Sequence, residues 1–471
     1  MTTTTIRSEA ATPASDALGI AALPDQPRPA QPSASRPSRQ SRPSRSRAPL
    51  SVFAGFPRAI WVVFAGTVVN RVGFLVGPFL VFFLGSRGIP SSQTPYVLGA
   101  LGAGNLVGPA VGGWLADRHS RKLTMLAGLL GTAAAQGALF AAPNVATMAL
   151  AAIALSATAT MVSPAASAIL TDDVGPARRR EAFALIGWAV NIGTAVAGVL
   201  GGYLAAHGYW MLFAIDAGTS LGYAVIVAML LPADRTRHDA SQTPESLTSA
   251  SQTLAAQSSD SPTSAATPTS SGYGIVFRDR LTRRLLILFA VQLFIYSLTE
   301  SALPLAIRTD GLSPTVMGLA AAVNAGLVVA LQPLATTLVS RFPRTQVFLT
   351  GGILTTTGIA LTGLAHTPTA YAATVTIWSL GEVIIGGIPA SLIANLAPAT
   401  ARGRYQGAFS WAWGVSRFLA LAAGTTAFTL ISPAFLWWTA LLAGTAANIG
   451  IMLLSPAIDR RTSAIDEPAT R

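Results

Sequence analysis

Five ionisable side chains interrupt stretches that are otherwise apolar and long enough to cross a lipid bilayer: Arg71, Asp216, Glu300, Glu382 and Arg417. An ionised group at mid-depth in lipid costs about 3 kcal/mol on insertion scales, so each needs a partner, water or a proton. Glu382, in TVTIWSLGEVIIGGIPASL, poses the question most sharply, because no other charge lies between His366 and Arg402. A cation such as Arg417 or Arg71 could offset it permanently and hold two helices in register. A proton taken up from one side and released to the other could offset it intermittently. Desolvation and a nearby arginine pull a carboxylate's proton affinity in opposite directions, which is the tunable balance a proton carrier needs. Asp216, near the end of its run, reads as structural.

Amides and aromatics in the same runs could line a binding surface: Asn70, Trp188, Asn191, Gln292, Tyr296, Asn324, Trp378, Trp411 and Trp413. Apolar stripes at helical spacing more often serve packing. Other chemistry is excluded by residue type. His119, His207, His238 and His366 all fall in loops or linker, leaving no in-membrane histidine for a zinc site or a serine–histidine pair. The chain has no cysteine, hence no disulfide, iron–sulfur cluster or thiolate metal site. Its one lysine, Lys122, follows Arg121, so the Gly-Lys-Ser/Thr of a phosphate-binding loop is absent. The expectation is a non-enzyme with no cofactor and no metal.

The elements that must position these residues follow from composition. Of 471 residues 51% are hydrophobic and 11% charged, and mean hydropathy is +0.52, whereas soluble domains carry about a quarter charged residues. Apolar runs of about 20 residues begin near residues 58, 94, 122, 145, 183, 209, 285, 314, 346, 370, 405 and 433, predicting an all-α integral membrane protein of twelve spans. Residues 1–57 read as a basic, disordered N-terminal tail and 233–282 as a flexible linker. These separate a six-helix bundle over 58–232 from a second over 283–456, with a C-terminal tail over 457–471. Net charge is +12, but its placement points to topology and not to nucleic acid. Apart from Arg71 and Arg417 within runs, and Arg87 and Arg308 in odd-numbered loops, the cations lie in the tails and even-numbered loops. The positive-inside rule then puts both termini and the linker in the cytoplasm. Thirty arginines to one lysine hint at a GC-rich bacterial gene, and the plasma membrane is the expected location.

The halves echo each other. PAASAILTDDVGPARRREAFALIGW from Pro164 and PASLIANLAPATARGRYQGAFSWAW from Pro389 share Pro-Ala, an apolar stretch, Arg-x-Arg, Ala-Phe and a Trp. Both copies join corresponding runs on the same side, as in a parallel repeat whose halves rock about a midplane site. The loop between runs two and three reads GGWLADRHSRKLTML. Its acidic group could sit at a helix N-terminus while its cations pair with nearby carboxylates.

Gly113, Leu115, Ala116, Asp117, Arg118, Arg121 and Lys122 resemble, in order and spacing, the signature of the major facilitator superfamily, with Ser120 replacing its second glycine. TTLVSRFPRT is a decayed second copy, with Ser340 and Pro343 at the aspartate and glycine positions. IWSLGEVI, LAPATARGRYQGAF and NRVGFLVGPFLVFFL are similar to stretches of bacterial drug-efflux-like facilitators. Two departures stand out. The fifth run has Ala197 and Gly198 where proton-coupled drug antiporters have Gly-Pro, and the fourth lacks their buried arginine. The resemblance implies a cavity lined by helices one, four, seven and ten, with Arg71, Glu300 and Glu382 at its centre. It implies a cytoplasmic gate at Gly113, Asp117, Arg118, Arg121 and Lys122. It further implies a monomeric secondary transporter, exporting small amphipathic compounds in exchange for protons by alternating access. A facilitator for a sugar or amino acid is the alternative, and a non-transporting receptor or scaffold a more distant one.

Overall fold

The computed structural model describes residues 56–73, 75–172, 174, 178–231, 274–339, 341–398 and 401–466. The expected N-terminal tail and most of the expected linker lie outside these residues. All regular structure among the described residues is helical. Among the described residues ten helical stretches are long and apolar enough to cross a membrane. Thr94–Arg118 and Arg179–His207, of 25 and 29 residues, also have the length to do so.

The first crossing is divided into α1 (Arg58–Val72) and α2 (Val76–Ser86) by a break at Gly73. A methyl at Gly73 would collide with Thr219, so the break is packed directly on the sixth crossing. There follow α3 (Thr94–Arg118), α4 (Arg121–Ala141), α5 (Val145–Asp172), α6 (Arg179–His207) and α7 (Tyr209–Leu230). The second half begins with α8 (Gly274–Arg278) and continues with α9 (Arg280–Thr309), α10 (Thr315–Val339) and α11 (Arg344–Ala360). The next crossing is again divided, into α12 (Pro368–Ile385) and α13 (Ile388–Leu396). Gly386 at this break has φ +47°, a conformation that side-chain-bearing residues avoid. In the following crossing α14 (Arg402–Leu419) widens into π-type turns over Ala420–Gly424 and Ala427–Ile431, and α15 (Pro433–Leu453) completes the bundle.

The segment expected as a C-terminal tail continues instead as α16 (Ser455–Asp466), with Ile458 buried. Arg461 pairs with Asp279 at 2.7 Å. Asp279 also caps α9 by accepting from the backbone of Leu281 and Thr282, and it accepts from the Tyr405 hydroxyl at 2.8 Å. One carboxylate thus ties together the starts of α9 and α14 and the terminal helix.

The motif loop differs from expectation. Asp117 lies exposed in the last turn of α3, the helix end that the macrodipole makes unfavourable to an acid. The N-cap of α4 is Ser120, whose side chain accepts from Leu123 N–H. Lys122 donates to the carbonyls of Ala228 and Leu231 at 2.8 and 2.7 Å, closing the C-terminus of α7. Arg118 stacks over Trp114. Two cations of the motif therefore serve carbonyls and a ring where carboxylates were expected.

Small residues bring the halves together. Gly202 of α6 meets Gly318 of α10 backbone to backbone, Gly198 faces Ala321, and on the other side Gly99 and Gly102 of α3 face Ala422 and Phe418. All of these lie toward the end that carries Ile89. Near the opposite end Gly113 and Gly403 border open space. The halves are drawn together at the Ile89 end by those glycine contacts.

Candidate functional site

Glu382 sits in the last turn of α12, where its carbonyl accepts from Gly386 N–H at the break. The break needs glycine, and the side chain one turn before it reaches two neighbouring helices. Tyr296 of α9 donates its hydroxyl to Oε1 at 2.9 Å, and Asn324 of α10 donates Nδ2 to Oε2 at 2.8 Å. The same amide lies 3.0 Å from Ser379 Oγ, one turn before Glu382. Each carboxylate oxygen has a neutral donor, and among the described residues no cation pairs with Glu382. The Glu382–Arg417 pair, one of the alternatives the sequence left open, is not formed.

Arg417 pairs instead with Glu300, Nε and Nη2 both 2.8 Å from Oε2. The two side chains are 25% and 46% exposed, so water still reaches the pair. Arg71 of the first half lies close enough to feel both charges, and its backbone packs against Gly193 of α6. Tyr296 and Glu300 stand one turn apart on α9, which makes Tyr296 the neighbour of both carboxylates. Hydrogen bonds join Asn324 and Tyr296 to Glu382, and an ion pair joins Arg417 to Glu300, one turn from Tyr296; all five belong to the second half.

The tyrosine and amide donors suit an ionised Glu382. A proton added to either oxygen competes for room with the donor already there, and the Tyr296 hydroxyl, able both to donate and to accept, can turn to receive it.

The aromatic and amide residues separate into groups. Trp378 and Trp413 approach Tyr296 edge-on, at ring centroids of 6.1 and 6.2 Å. Trp413 is 43% exposed; Trp378 is buried against Gly358 of α11 and serves mainly packing. Trp411 lies two residues from Trp413, about 200° around the helix, on another flank. Gln292 is engaged inside its own half, donating to Gly444 O at 3.0 Å and accepting from Thr356. Asn70 likewise donates to Ser220 of α7 at 3.2 Å. The side chains of Trp188 and Asn191 lie outside the described residues. Ser379 was missed, although its place three residues before Glu382 puts it on the same face. Asp216 is a cap: its Oδ2 accepts from Val76 N–H at 3.3 Å, where α2 starts. Among the described residues no group of three or more His, Asp or Glu could hold a metal ion.

A sequence profile of the Major Facilitator Superfamily matches residues 59–421. The uncharacterized MFS-type transporter YqjV of Bacillus subtilis (strain 168) is 22% identical over 356 residues, covering 74% of this chain and 82% of that protein. A multidrug resistance protein B homolog of Mycobacterium tuberculosis is 27% identical over 124 residues, covering 26% of this chain and 23% of its own length. Among solved structures, a peptide transporter POT in complex with sulfate superposes with a TM-score of 0.63 at 17% identity, covering 87% of this chain and 96% of that one. A D-xylose-proton symporter does so with a TM-score of 0.64 at 13% identity, covering 84% and 96%. At such identities the likeness is one of fold.

Proposed function

Because the chain belongs to the major facilitator superfamily, and is therefore a multi-pass membrane transporter and not an enzyme, we propose that it exports small amphipathic compounds in exchange for protons, with Glu382 as the proton carrier. The observation that carries this reading is the Glu382 carboxylate held by two neutral donors, Tyr296 and Asn324. Such a group has no partner cation to strand when a proton neutralises it. Trp413 and Tyr296 offer aromatic faces beside it, suited to the apolar part of an amphipathic solute.

Closure at the Ile89 end, where Gly202 meets Gly318, supports assigning this arrangement to the state open toward the cytoplasm, in a bacterial plasma membrane with both termini inside. Rocking of one half against the other would then expose the same site at the Ile89 end. A second reading, a facilitator for a metabolite such as a sugar or amino acid, draws on Arg417, whose pair with Glu300 stays open to water.

The test is flux in proteoliposomes under an imposed pH gradient, with amphipathic cations and small metabolites as solutes. Antiport predicts cation movement against the proton flow, lost in Glu382→Gln. Metabolite movement with the proton flow would replace it with the second reading. Retained pH-driven flux in Glu382→Gln would exclude Glu382 as the carrier.

A further inference from the structure

Arg308, in the last turn of α9, belongs to the second half yet makes its hydrogen bonds to the first. Its Nη1 donates to Val81 O at 3.1 Å and its Nη2 to Ile89 O at 2.8 Å. The guanidinium lies flat against Gly85, where an added methyl would come within 2.6 Å of Nε. A planar fork reaching two carbonyls at once is a geometry that arginine supplies and lysine does not.

The receiving helix is fixed independently of that contact. At its N-terminus Asp216 of α7 accepts from Val76 N–H. At its C-terminus Gly88 has φ +71°, and Ile89 N–H returns to Leu84 O, the closure of a helix by a left-handed glycine. Arg87 donates to Phe140 O and stacks on the rings of Phe83 and Phe140, holding this end to α4. α2 is thus a short helix capped at both ends and bound to its own half by groups on two neighbours. It presents two carbonyls at a set position to the other half.

We propose that Arg308 is a latch that closes the Ile89 end of the transporter, and that Asp216 is the positioning residue that sets the helix receiving it. The charge-assisted bonds form when the halves meet, and water replaces them when the halves part, so the latch biases the closed state while remaining reversible. Asp117 and its loop lie at the other end and take no part in this closure. The inference takes its purpose from the transport reading, but its test needs neither solute nor flux.

The chain has no cysteine, so a single introduced thiol reports access. Ser301 is fully buried and lies about two turns from Arg308 on the same face of α9. Its hydroxyl bonds only within the helix, to Ser297 O, which makes Ser301→Cys a mild change. In membrane vesicles a charged, impermeant maleimide applied at the Ile89 face should label Ser301→Cys slowly. Adding Arg308→Met should raise the labelling rate about tenfold or more, the factor expected from losing charge-assisted bonds, and Arg308→Lys should fall between. Gly85→Ala, which displaces the guanidinium from the other side, should accelerate labelling as well, and it decides the matter if Arg308→Met fails to fold. Asp216→Asn keeps an oxygen for Val76 N–H and should label at the parent rate, whereas Asp216→Leu should label faster. Unchanged labelling in Arg308→Met or Gly85→Ala, in protein that elutes and melts like the parent, overturns the latch. Equal rates for Asp216→Asn and Asp216→Leu overturn the positioning role. Accelerated labelling without flux under any gradient would leave the latch standing and refute the transport reading.

Discussion

At the scale of single residues, what matters is how each buried charge is offset, and the two carboxylates of the site differ in this. Glu382 is held by neutral donors, so replacing it with glutamine removes a titrating group without stranding a cation. Glu382→Gln is expected to abolish pH-driven flux while leaving solute affinity within a few-fold of the parent, as equilibrium binding in detergent would measure. Glu300 and Arg417 form an ion pair, but one that water reaches. A fully buried pair would lose about 3–5 kcal/mol on removal of one partner; a solvated one is worth about 0.2–1 kcal/mol. The double-mutant cycle of Glu300→Gln and Arg417→Gln should give a coupling energy in the lower range by thermal or chemical unfolding. A value above about 3 kcal/mol would mean that the pair is dry in the folded protein.

Among the elements, the breaks in α1/α2 and α12/α13 put ends of short helices beside the site, and the terminal helix α16 braces the Asp117 end of the second half. Its brace is Asp279. Burial alone would raise the proton affinity of this carboxyl, but the hydrogen bonds from Thr282 and Tyr405 and the charge of Arg461 outweigh it and hold the group below the usual carboxylate range. A carboxyl depressed in the folded state adds stability that is complete above its unfolded value, near 4, and is lost as pH falls through the lower folded value. Docking of α16 should therefore persist from neutral pH to about 4 and loosen only below it. Hydrogen exchange of residues 455–466 against pH would show this, and Asp279→Asn should give the loosened pattern already at neutral pH. Loosening between pH 7 and 5 in the parent protein would contradict the assignment.

In the molecule as a whole, the backbone approach of Gly202 to Gly318 and the Arg308 contact close one end, while Gly113 and Asp117 at the other end stand clear. Asp117 is exposed here, so removing its charge should cost this arrangement little. If its role is to hold the Asp117 ends together after the halves rock, Asp117→Asn should slow flux several-fold at unchanged melting temperature and unchanged solute binding. Parent-level flux would show that the motif's acid has no part in the cycle. The Gly202 contact acts in the opposite sense. Gly202→Leu would drive a side chain into the backbone of α10, and it should open the Ile89 end to impermeant thiol reagents.

Membrane crossing, the division into two halves and the list of charges that need explaining were all legible in the sequence, because lipid imposes its demands along the chain. Apolar runs of sufficient length, basic residues kept to alternate loops, and one carboxylate in a run such as IWSLGEVI are each visible without knowing which helix lies beside which. The motif at Gly113 to Lys122 carried the family for the same reason, since its spacing is local. The partners were decided by the tertiary structure alone. Whether Glu382 meets Arg417 or Tyr296 and Asn324 depends on how α9, α10, α12 and α14 are rotated about their axes, and small turns of each helix exchange one neighbour for another. The same rotation directs Asn70 and Gln292 into their own halves and separates Trp411 from Trp413. It also gives Arg308, which reads as a loop cation, two carbonyls across the molecule, and Asp216 the backbone of a broken helix 140 residues away. A one-dimensional pattern identifies charges that lipid cannot tolerate alone, but the group that answers each one is chosen by the packing of helices distant in sequence.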